Sequence, residues 1–301
     1  MNFGKRTPAE ESQRIVRRAL ERGIRVFDTA NAYNGGESER ILGRALGRDR
    51  GGVVVATKVG FGRIGGKPEG LSPDAIARAL AGSLERLGTD HADVYYLHVP
   101  DPATPIERTL DSMKVHVDSG RVRAWGVSNY ASWQILEMNS LAEARSLARP
   151  SVSQVLYNAL HRQLDIEYFA FARRFPIHTT VFNPLAGGLL TGTHRLEEKP
   201  VAGSRFDDNA LYRRRYWTAA MFERVEQLRA VAAAEAMTLL ELAYVWVAAR
   251  EDVDSILVGP ASVQQLDQAI DALSRTLSTE ARARVDQLWR DWNGTDTSYA
   301  R

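Results

Sequence analysis

The sequence predicts an α/β protein of the (β/α)8 TIM-barrel class, and three observations lead there. Short apolar runs alternate with longer amphipathic segments, the runs are continuously apolar, and polar residues follow them at their carboxyl ends. A continuously apolar run suits a strand covered on both faces, which is the parallel-sheet arrangement. Strands are expected at Ile24–Phe27, Val53–Ala56, Val94–Leu97, Val122–Val127, Val152–Val155, Thr179–Phe182 and Ser255–Val258. Between them, Ile76, Leu80, Leu84 and Leu87 lie on one helical stripe. Thr7-Pro8-Ala9-Glu10 and Thr104-Pro105-Ile106-Glu107 each offer a hydroxyl N-cap, a proline in the first turn and a carboxylate at the third position, with Ser72-Pro73-Asp74 a weaker version.

Alternating strands and helices leave two topologies, an open doubly wound sheet or a closed barrel. The residues that follow the apolar runs decide between them. These are Asp28, Lys58, His98, Ser128-Asn129, Gln154 and Asn183. In a closed barrel such ends converge on one mouth, whereas an open sheet spreads them along an edge. An eighth strand would have to precede the Thr7 helix, where only Met1-Asn2-Phe3-Gly4 stands, so the first strand is expected to be cut short. A single domain over residues 1–301 is expected, with a long Gly- and Arg-rich loop at about 186–218 and a polar tail at about 289–301.

Composition narrows the chemistry. The 301 residues are 44% hydrophobic, and Lys+Arg 39 against Asp+Glu 37 leaves a net charge of +2. Such a balance gives no electrostatic reason to expect nucleic acid or a membrane surface as partner. With no cysteine, disulfides and thiolate nucleophiles are excluded, and redox chemistry needs a cofactor. The first residues lack the apolar stretch of a signal peptide, and a cytoplasmic monomer or homo-oligomer is the expectation. The six histidines form neither H-x-H nor H-E-x-x-H, so no metal is expected. Gly60-Phe61-Gly62-Arg63-Ile64-Gly65 fits a dinucleotide fingerprint. The residues after it cannot open the required helix, and the helix signal waits until Pro73.

Singly, Asp28 could cap a helix, Lys58 could snorkel to the surface and His98 could be a core histidine. Together with Tyr33 they form a set suited to metal-free carbonyl reduction. Hydride attack on a carbonyl develops an alkoxide that must receive a proton. Tyrosine's ordinary pKa of about 10 is too high for easy exchange, and lowering it by roughly 2 units requires about 2.7 kcal/mol of phenolate stabilisation. A neighbouring Lys58 ammonium can supply that, Asp28 can hold the lysine, and a neutral His98 can donate a hydrogen bond to the carbonyl oxygen.

At these residues the sequence resembles the aldo-keto reductase family. The matching stretches are Gly23-Ile24-Arg25-Val26-Phe27-Asp28-Thr29-Ala30 with Tyr33, Ala56-Thr57-Lys58, Ser83-Leu84-Glu85-Arg86-Leu87-Gly88, Tyr96-Leu97-His98 and Gly126-Val127-Ser128-Asn129-Tyr130. The resemblance implies an NADP(H)-dependent reductase of aldehydes or ketones, NAD(H) not excluded, with Asp28, Tyr33, Lys58 and His98 as its catalytic tetrad. It further implies Ser128, Asn129 and Gln154 on the nicotinamide carboxamide and Phe182 on the ring. The pyrophosphate would lie under Asn183, Leu185, Gly187, Leu189 and Gly192. Arg205 and the segment bearing Gly259, Ser262 and Gln265 would serve the adenosine end. A narrower likeness to the aflatoxin-aldehyde reductase subgroup, through Tyr212, Arg215-Tyr216-Trp217 and Tyr299-Ala300-Arg301, implies Arg215 and Arg301 on acidic substrates. A solvated basic run over Arg213, Arg214 and Arg215 is the alternative. The pattern departs from the family where Ala261 and Ala269 replace a serine and an asparagine, and no Lys or Arg occurs between positions 259 and 274. The family also includes auxiliary subunits of potassium channels, which keeps a nicotinamide-binding regulator with little turnover as the alternative function.

Overall fold

The fold is described from a computed structural model, whose described residues are 1–207 and 209–294. They contain nine strands, β1 (Val26–Asp28), β2 (Val54–Val59), β3 (Arg63–Ile64), β4 (Lys67–Pro68), β5 (Ala92–Leu97), β6 (Val122–Ser128), β7 (Val152–Leu156), β8 (His178–Phe182) and β9 (Ser255–Ile256). Interleaved with them are α1 (Ala9–Glu21), α2 (Glu37–Leu46), α3 (Pro73–Leu87), α4 (Ile106–Asp118), α5 (Ser132–Ala144) and α6 (Tyr168–Arg174). After β8 come α7 (Ala210–Tyr216), α8 (Ala219–Ala234) and α9 (Leu239–Ala248), and after β9 come α10 (Val263–Leu273) and α11 (Thr279–Asn293). The sheet runs β1-β2-β5-β6-β7-β8-β9, so all seven expected strands are found and each lies beside the next in the chain. The pairings β1–β2, β2–β5, β5–β6, β6–β7 and β8–β9 are parallel.

The chain divides into two compact units. The first comprises Met1–Val155, Phe175–Thr179 and Gly259–Leu266. The second comprises Leu156–Arg174, Thr180–Val258 and the residues from Asp267 onward.

In the first unit the period of two along a strand sorts side chains to two faces. On β2, Val55 joins Val16, Leu42, Leu46 and Leu87 in a core against α1–α3. Thr57, on that same face, gives its hydroxyl hydrogen to the fully buried Glu39 of α2 at 2.5 Å, and Arg86 of α3 holds the other carboxylate oxygen at 2.6 Å. The opposite face carries Ala56, Tyr96 and Val152 in a second small core. Two residues further along each strand, on this face, stand Lys58, His98 and Gln154. The polar ladder is therefore the continuation of a core face past its apolar end. Ser128 joins it two residues beyond Gly126, paired in register with Gln154.

Three local expectations are corrected. Thr7 does not cap α1: its hydroxyl donates to Ala261 O at 3.3 Å, and Pro8 occupies the cap. Thr104 likewise turns to Asp101 Oδ2 at 2.7 Å, leaving Pro105 at the cap of α4. The weaker motif is the one that caps, since Ser72 Oγ accepts from Ala75 N at 3.3 Å. In the first two cases a carbonyl or carboxylate nearby outcompetes the helix amides for the hydroxyl. The tail begins later than position 289, because α11 continues to Asn293 and includes Trp289 and Trp292. Gly60–Gly70 forms the antiparallel β3–β4 hairpin, turned by Gly65 (φ 57°) and Gly66 (φ 80°), and opens no helix.

In place of a first strand, the segment before α1 is held by polar contacts within its own unit. Asn2 Nδ2 donates to Gly259 O at 2.9 Å and Pro260 O at 3.1 Å, while Phe3 O accepts from Asn34 Nδ2 at 2.6 Å.

Gly126 tests the sheet. A Cβ there would lie 2.3 Å from Val152 O of the neighbouring strand. Gly126→Ala is expected to cost about 1–3 kcal/mol in a denaturant unfolding curve by prying β6 from β7. An unchanged midpoint would show that the strands separate without strain.

Candidate active site

Tyr33 stands on a short 3₁₀ turn, Tyr33–Gly36, that follows β1. Asn34 (φ 53°), Gly35 (φ 63°) and Gly36 (φ 85°) turn the chain through the left-handed region, and Gly36 has no alternative because a Cβ would lie 2.6 Å from the Arg86 side chain. Asn34 is fastened to the N-terminal segment as described, so both sides of Tyr33 are tethered. Its amide donates to Ala30 O at 3.1 Å.

Lys58 is fully buried. Its ammonium contacts Asp28 Oδ1, donates to Thr29 O at 2.8 Å, and stands 5.2 Å from the Tyr33 ring centroid. Burial alone would lower the lysine's pKa, but the Asp28 carboxylate and the Tyr33 oxygen outweigh it and hold the pKa above its ordinary value. The lysine is therefore a cation at neutral pH. Gln154 Nε2 donates to Asp28 Oδ2 at 2.9 Å, which fixes the carboxylate from the other side. These contacts rule out the snorkelling reading of Lys58 and the capping reading of Asp28.

His98 packs edge-on to Tyr33 with ring centroids 5.7 Å apart, and Phe61 from the loop after β2 lies 5.0 Å from the imidazole. Burial, with the Lys58 charge adding, pushes the His98 pKa down to about 3. The ring is neutral at physiological pH, as a hydrogen-bond donor to a carbonyl should be. Asn129 Nδ2 donates to His98 O at 3.0 Å and to Ser128 Oγ at 3.1 Å, so the carboxamide-type residues at the ends of β6 and β7 join the tetrad in one network. Their mixture of hydroxyl and amide groups fits a ligand carboxamide, which both donates and accepts. Asn31 Nδ2 to Glu69 Oε1 at 2.7 Å and Gly60 N to Glu69 Oε2 at 2.8 Å close the loop after β2 onto the loop after β1. Nothing in the local sequence marks Glu69 for this task.

The segment bearing Gly259, Ser262 and Gln265 also lies in the first unit, where several of its polar atoms are bonded to one another and to the N-terminal segment. Gln265 Oε1 accepts from Ala261 N at 2.8 Å, Ser262 Oγ accepts from Gln265 N at 3.2 Å, and Gly259 O accepts from Asn2.

The second unit carries Phe182, Asn183, Leu185, Gly187, Leu189, Gly192, Arg205 and Arg215. Asn183 (φ 65°) ends β8 and folds back, its Oδ1 accepting from Gly187 N at 2.6 Å. Gly188 N, Leu190 N and Gly192 N are also bonded within the loop, and Leu189 is a buried core residue. Gly188 (φ 108°) has open space around the position of a Cβ, which leaves its face accessible to a ligand. Ala269 packs with Tyr244 and Ala272 in a small core. Sequence reading missed the organiser of this region. The hydroxyl of the fully buried Tyr216 accepts from Asn183 Nδ2 at 2.7 Å and from Asn158 Nδ2 at 3.4 Å.

The run Arg213-Arg214-Arg215 is not uniform. Arg213 and Arg214 are exposed, and Arg213 Nε donates to Phe206 O at 2.7 Å. Arg215 is half-buried, 5.9 Å from the Tyr212 ring centroid; burial, with the Arg215 and Arg224 charges adding, keeps His161 down at about 4. Arg205 Nη1 donates to Tyr212 OH at 3.1 Å. Arg301 lies outside the described residues.

The chain matches the Aldo/keto reductase family over residues 1–290 and belongs to it; its fold is the (β/α)8 class of that family. The class is thus that of an oxidoreductase. The chain is 36% identical over 288 residues to human "Aldo-keto reductase family 7 member A3", covering 90% of this chain and 86% of the relative. It is equally 36% identical to human "Aflatoxin B1 aldehyde reductase member 2", over 90% of this chain and 79% of the relative. A rice protein named "Probable voltage-gated potassium channel subunit beta" is 33% identical over 91% of this chain and 85% of its own length.

His98 gives a pH test. The unfolded histidine takes up a proton near pH 6.5, the folded one near 3, so its contribution to stability is complete above 6.5 and is lost as pH falls toward 3. His98→Gln is expected to flatten the loss of unfolding free energy between pH 6.5 and 3. An acid limb as steep as that of the unaltered protein would remove His98 from the account.

Proposed function

We propose that this protein reduces aldehydes or ketones to alcohols with a reduced nicotinamide dinucleotide, Tyr33 giving the proton to the carbonyl oxygen. The observation that carries this reading is the fully buried Lys58 ammonium, set against the Tyr33 ring and held by Asp28. A cation costs free energy in such a place, and here it favours the phenolate that remains once the proton has left.

The dinucleotide, when bound, supplies a hydride to the carbonyl carbon. Ser128, Asn129 and Gln154 would hold its carboxamide, Phe182 would stack on the ring, and the Asn183–Gly192 loop would serve the pyrophosphate. The rest of the chemistry belongs to the protein. Neutral His98 donates a hydrogen bond to the carbonyl oxygen and orients it, and Tyr33 O–H releases its proton to that oxygen as the carbon–oxygen double bond becomes single. Lys58 balances the charge left on Tyr33, and Asp28 keeps Lys58 in place. Arg215, half-buried and turned from the fate of its two neighbours, is the group for a substrate carboxylate. Names containing "aldehyde reductase" among the relatives support this substrate class, and the intact tetrad supports turnover over a purely regulatory role.

Tyr33→Phe is expected to bind the dinucleotide normally and lose about 10²–10⁴-fold in kcat. Near-normal turnover would remove Tyr33 from its role. Lys58→Met should change the pH profile of kcat as well as its height, since the phenolate loses its charge partner. Arg215→Ala should raise KM for a carboxylate-bearing aldehyde by about tenfold or more while leaving a neutral aldehyde of equal length within about twofold. Equal effects on both would return Arg215 to surface charge.

A further inference from the structure

One carboxylate joins the loops that carry the two rings of the site. Glu69, just past the β3–β4 hairpin, accepts from Asn31 Nδ2 through Oε1 at 2.7 Å and from Gly60 N through Oε2 at 2.8 Å. Glu69 is itself fixed, since its amide donates to Gly62 O at 2.9 Å. Asn31 lies in the turn that presents Tyr33: Tyr33 N reaches back to Ala30 O at 3.1 Å, and Asn31 N donates to Lys58 O at 3.2 Å. The Asn31 side chain rests on Glu69, because its Oδ1 is buried with no hydrogen-bond partner among the described residues. On the other side Gly60 (φ 105°) leads directly into Phe61, whose ring lies 5.0 Å from the His98 imidazole. The far end of the same loop is tied to the loop after β5, where Asp101 Oδ2 accepts from Leu71 N at 2.7 Å.

We propose that Glu69 is a positioning residue of the proton-transfer site: holding Asn31 with one oxygen and Gly60 with the other, it fixes the Tyr33 turn against the loop that packs on His98. This rests on the functional reading above, in which Tyr33 and His98 meet one carbonyl oxygen. A proton transfer and a hydrogen bond to the same atom tolerate little error, and a displacement of about 1 Å can cost about 10²-fold in rate. The two rings stand edge-on with centroids 5.7 Å apart, and Tyr33 is reached only through its turn. Closing the hairpin would need the Gly60 contact alone; the Asn31 contact adds the Tyr33 turn. The demand on position 69 is chemical as well as spatial. Both partners are N–H donors, so the residue between them must present two acceptor oxygens, which a carboxylate does and a side-chain amide does not.

The test exchanges the two groups. Glu69→Gln sets an amide N–H against a donor at one of the two contacts, and Asn31→Asp sets carboxylate against carboxylate. In the double variant Asn31→Asp/Glu69→Gln both side chains keep their lengths and both bonds can re-form: the glutamine oxygen accepts from Gly60 N, and its amide donates to the introduced aspartate. The readouts are the single-turnover rate of reduced-nicotinamide oxidation with 4-nitrobenzaldehyde and the dinucleotide Kd from quenching of tryptophan fluorescence. Each single variant is expected to lose about tenfold or more in rate while its Kd stays within about twofold, and the double variant to return to within about threefold of the unaltered rate. A single variant too unstable to assay leaves the double variant, which should still fold and react at that rate. Single variants at the unaltered rate would overturn the inference, as would a double variant as slow as the product of the single losses. Loss of dinucleotide affinity in parallel with rate would also overturn it, making Glu69 a support of the fold alone. In all three outcomes the unaltered protein still reduces the aldehyde, and the functional reading stands. No reduction by the unaltered protein would sink that reading and this inference together.

Discussion

A lysine ammonium with no solvent exposure is the constraint around which the first unit is arranged. Removing such a charge from water costs on the order of several kcal/mol before partners are counted. The fold recovers this through three groups on successive pieces of backbone: the Asp28 carboxylate, the Thr29 carbonyl and the Tyr33 ring. Asp28 is fixed in turn by Gln154 across the sheet. Because strands alternate their faces, placing Lys58 inward also places Thr57 outward, where it joins Glu39 and Arg86. One residue's charge is thus secured on the inner face while its neighbour locks α2 and α3 to the same strand. Tyr33 enters this network from a turn in which Asn34, Gly35 and Gly36 all take positive φ.

The second organising feature is the segment before α1. It makes no strand among the described residues, yet it does a strand's work of tying ends together. Asn2 and Thr7 hold the chain after β9, and Phe3 holds the turn that carries Tyr33. The Glu11–Val263 contact then follows from where α1 must begin. The turn that carries Tyr33 and the Gly259–Ala261 segment therefore share a brace, and a disturbance of the first seven residues would reach both.

Much of this was legible in the sequence, for a physical reason. Strand positions and the residues that end them follow from hydrophobic periodicity, a local property, so Asp28, Lys58, His98, Ser128 and Gln154 could be read from the sequence. Caps were less legible, because Thr7 and Thr104 had acceptors elsewhere that no local window contains. Least legible were the long-range polar pairs. Glu11 with Val263, Asn31 with Glu69 and Asn183 with Tyr216 join residues whose local contexts carry no pattern. The basic run left two readings open for a similar reason. Three consecutive arginines on a short helix point in three directions, and only packing separates Arg215 from Arg213 and Arg214. Ala261 and Ala269, in place of a serine and an asparagine, were visible in the sequence; the carboxylate that meets Val263 N comes from the other end of the chain.

The account as a whole stands on the claim that the tetrad turns over substrate rather than only holding a dinucleotide. The most direct measurement is the loss of reduced-nicotinamide absorbance when purified protein is offered a panel of neutral and carboxylate-bearing aldehydes, with the alcohol formed measured alongside. The account predicts aldehyde-dependent oxidation of the dinucleotide, one alcohol for each equivalent consumed, over many turnovers. Tight binding of the dinucleotide with no turnover of any aldehyde would contradict it, and would leave Lys58 and Tyr33 as parts of a binding site alone.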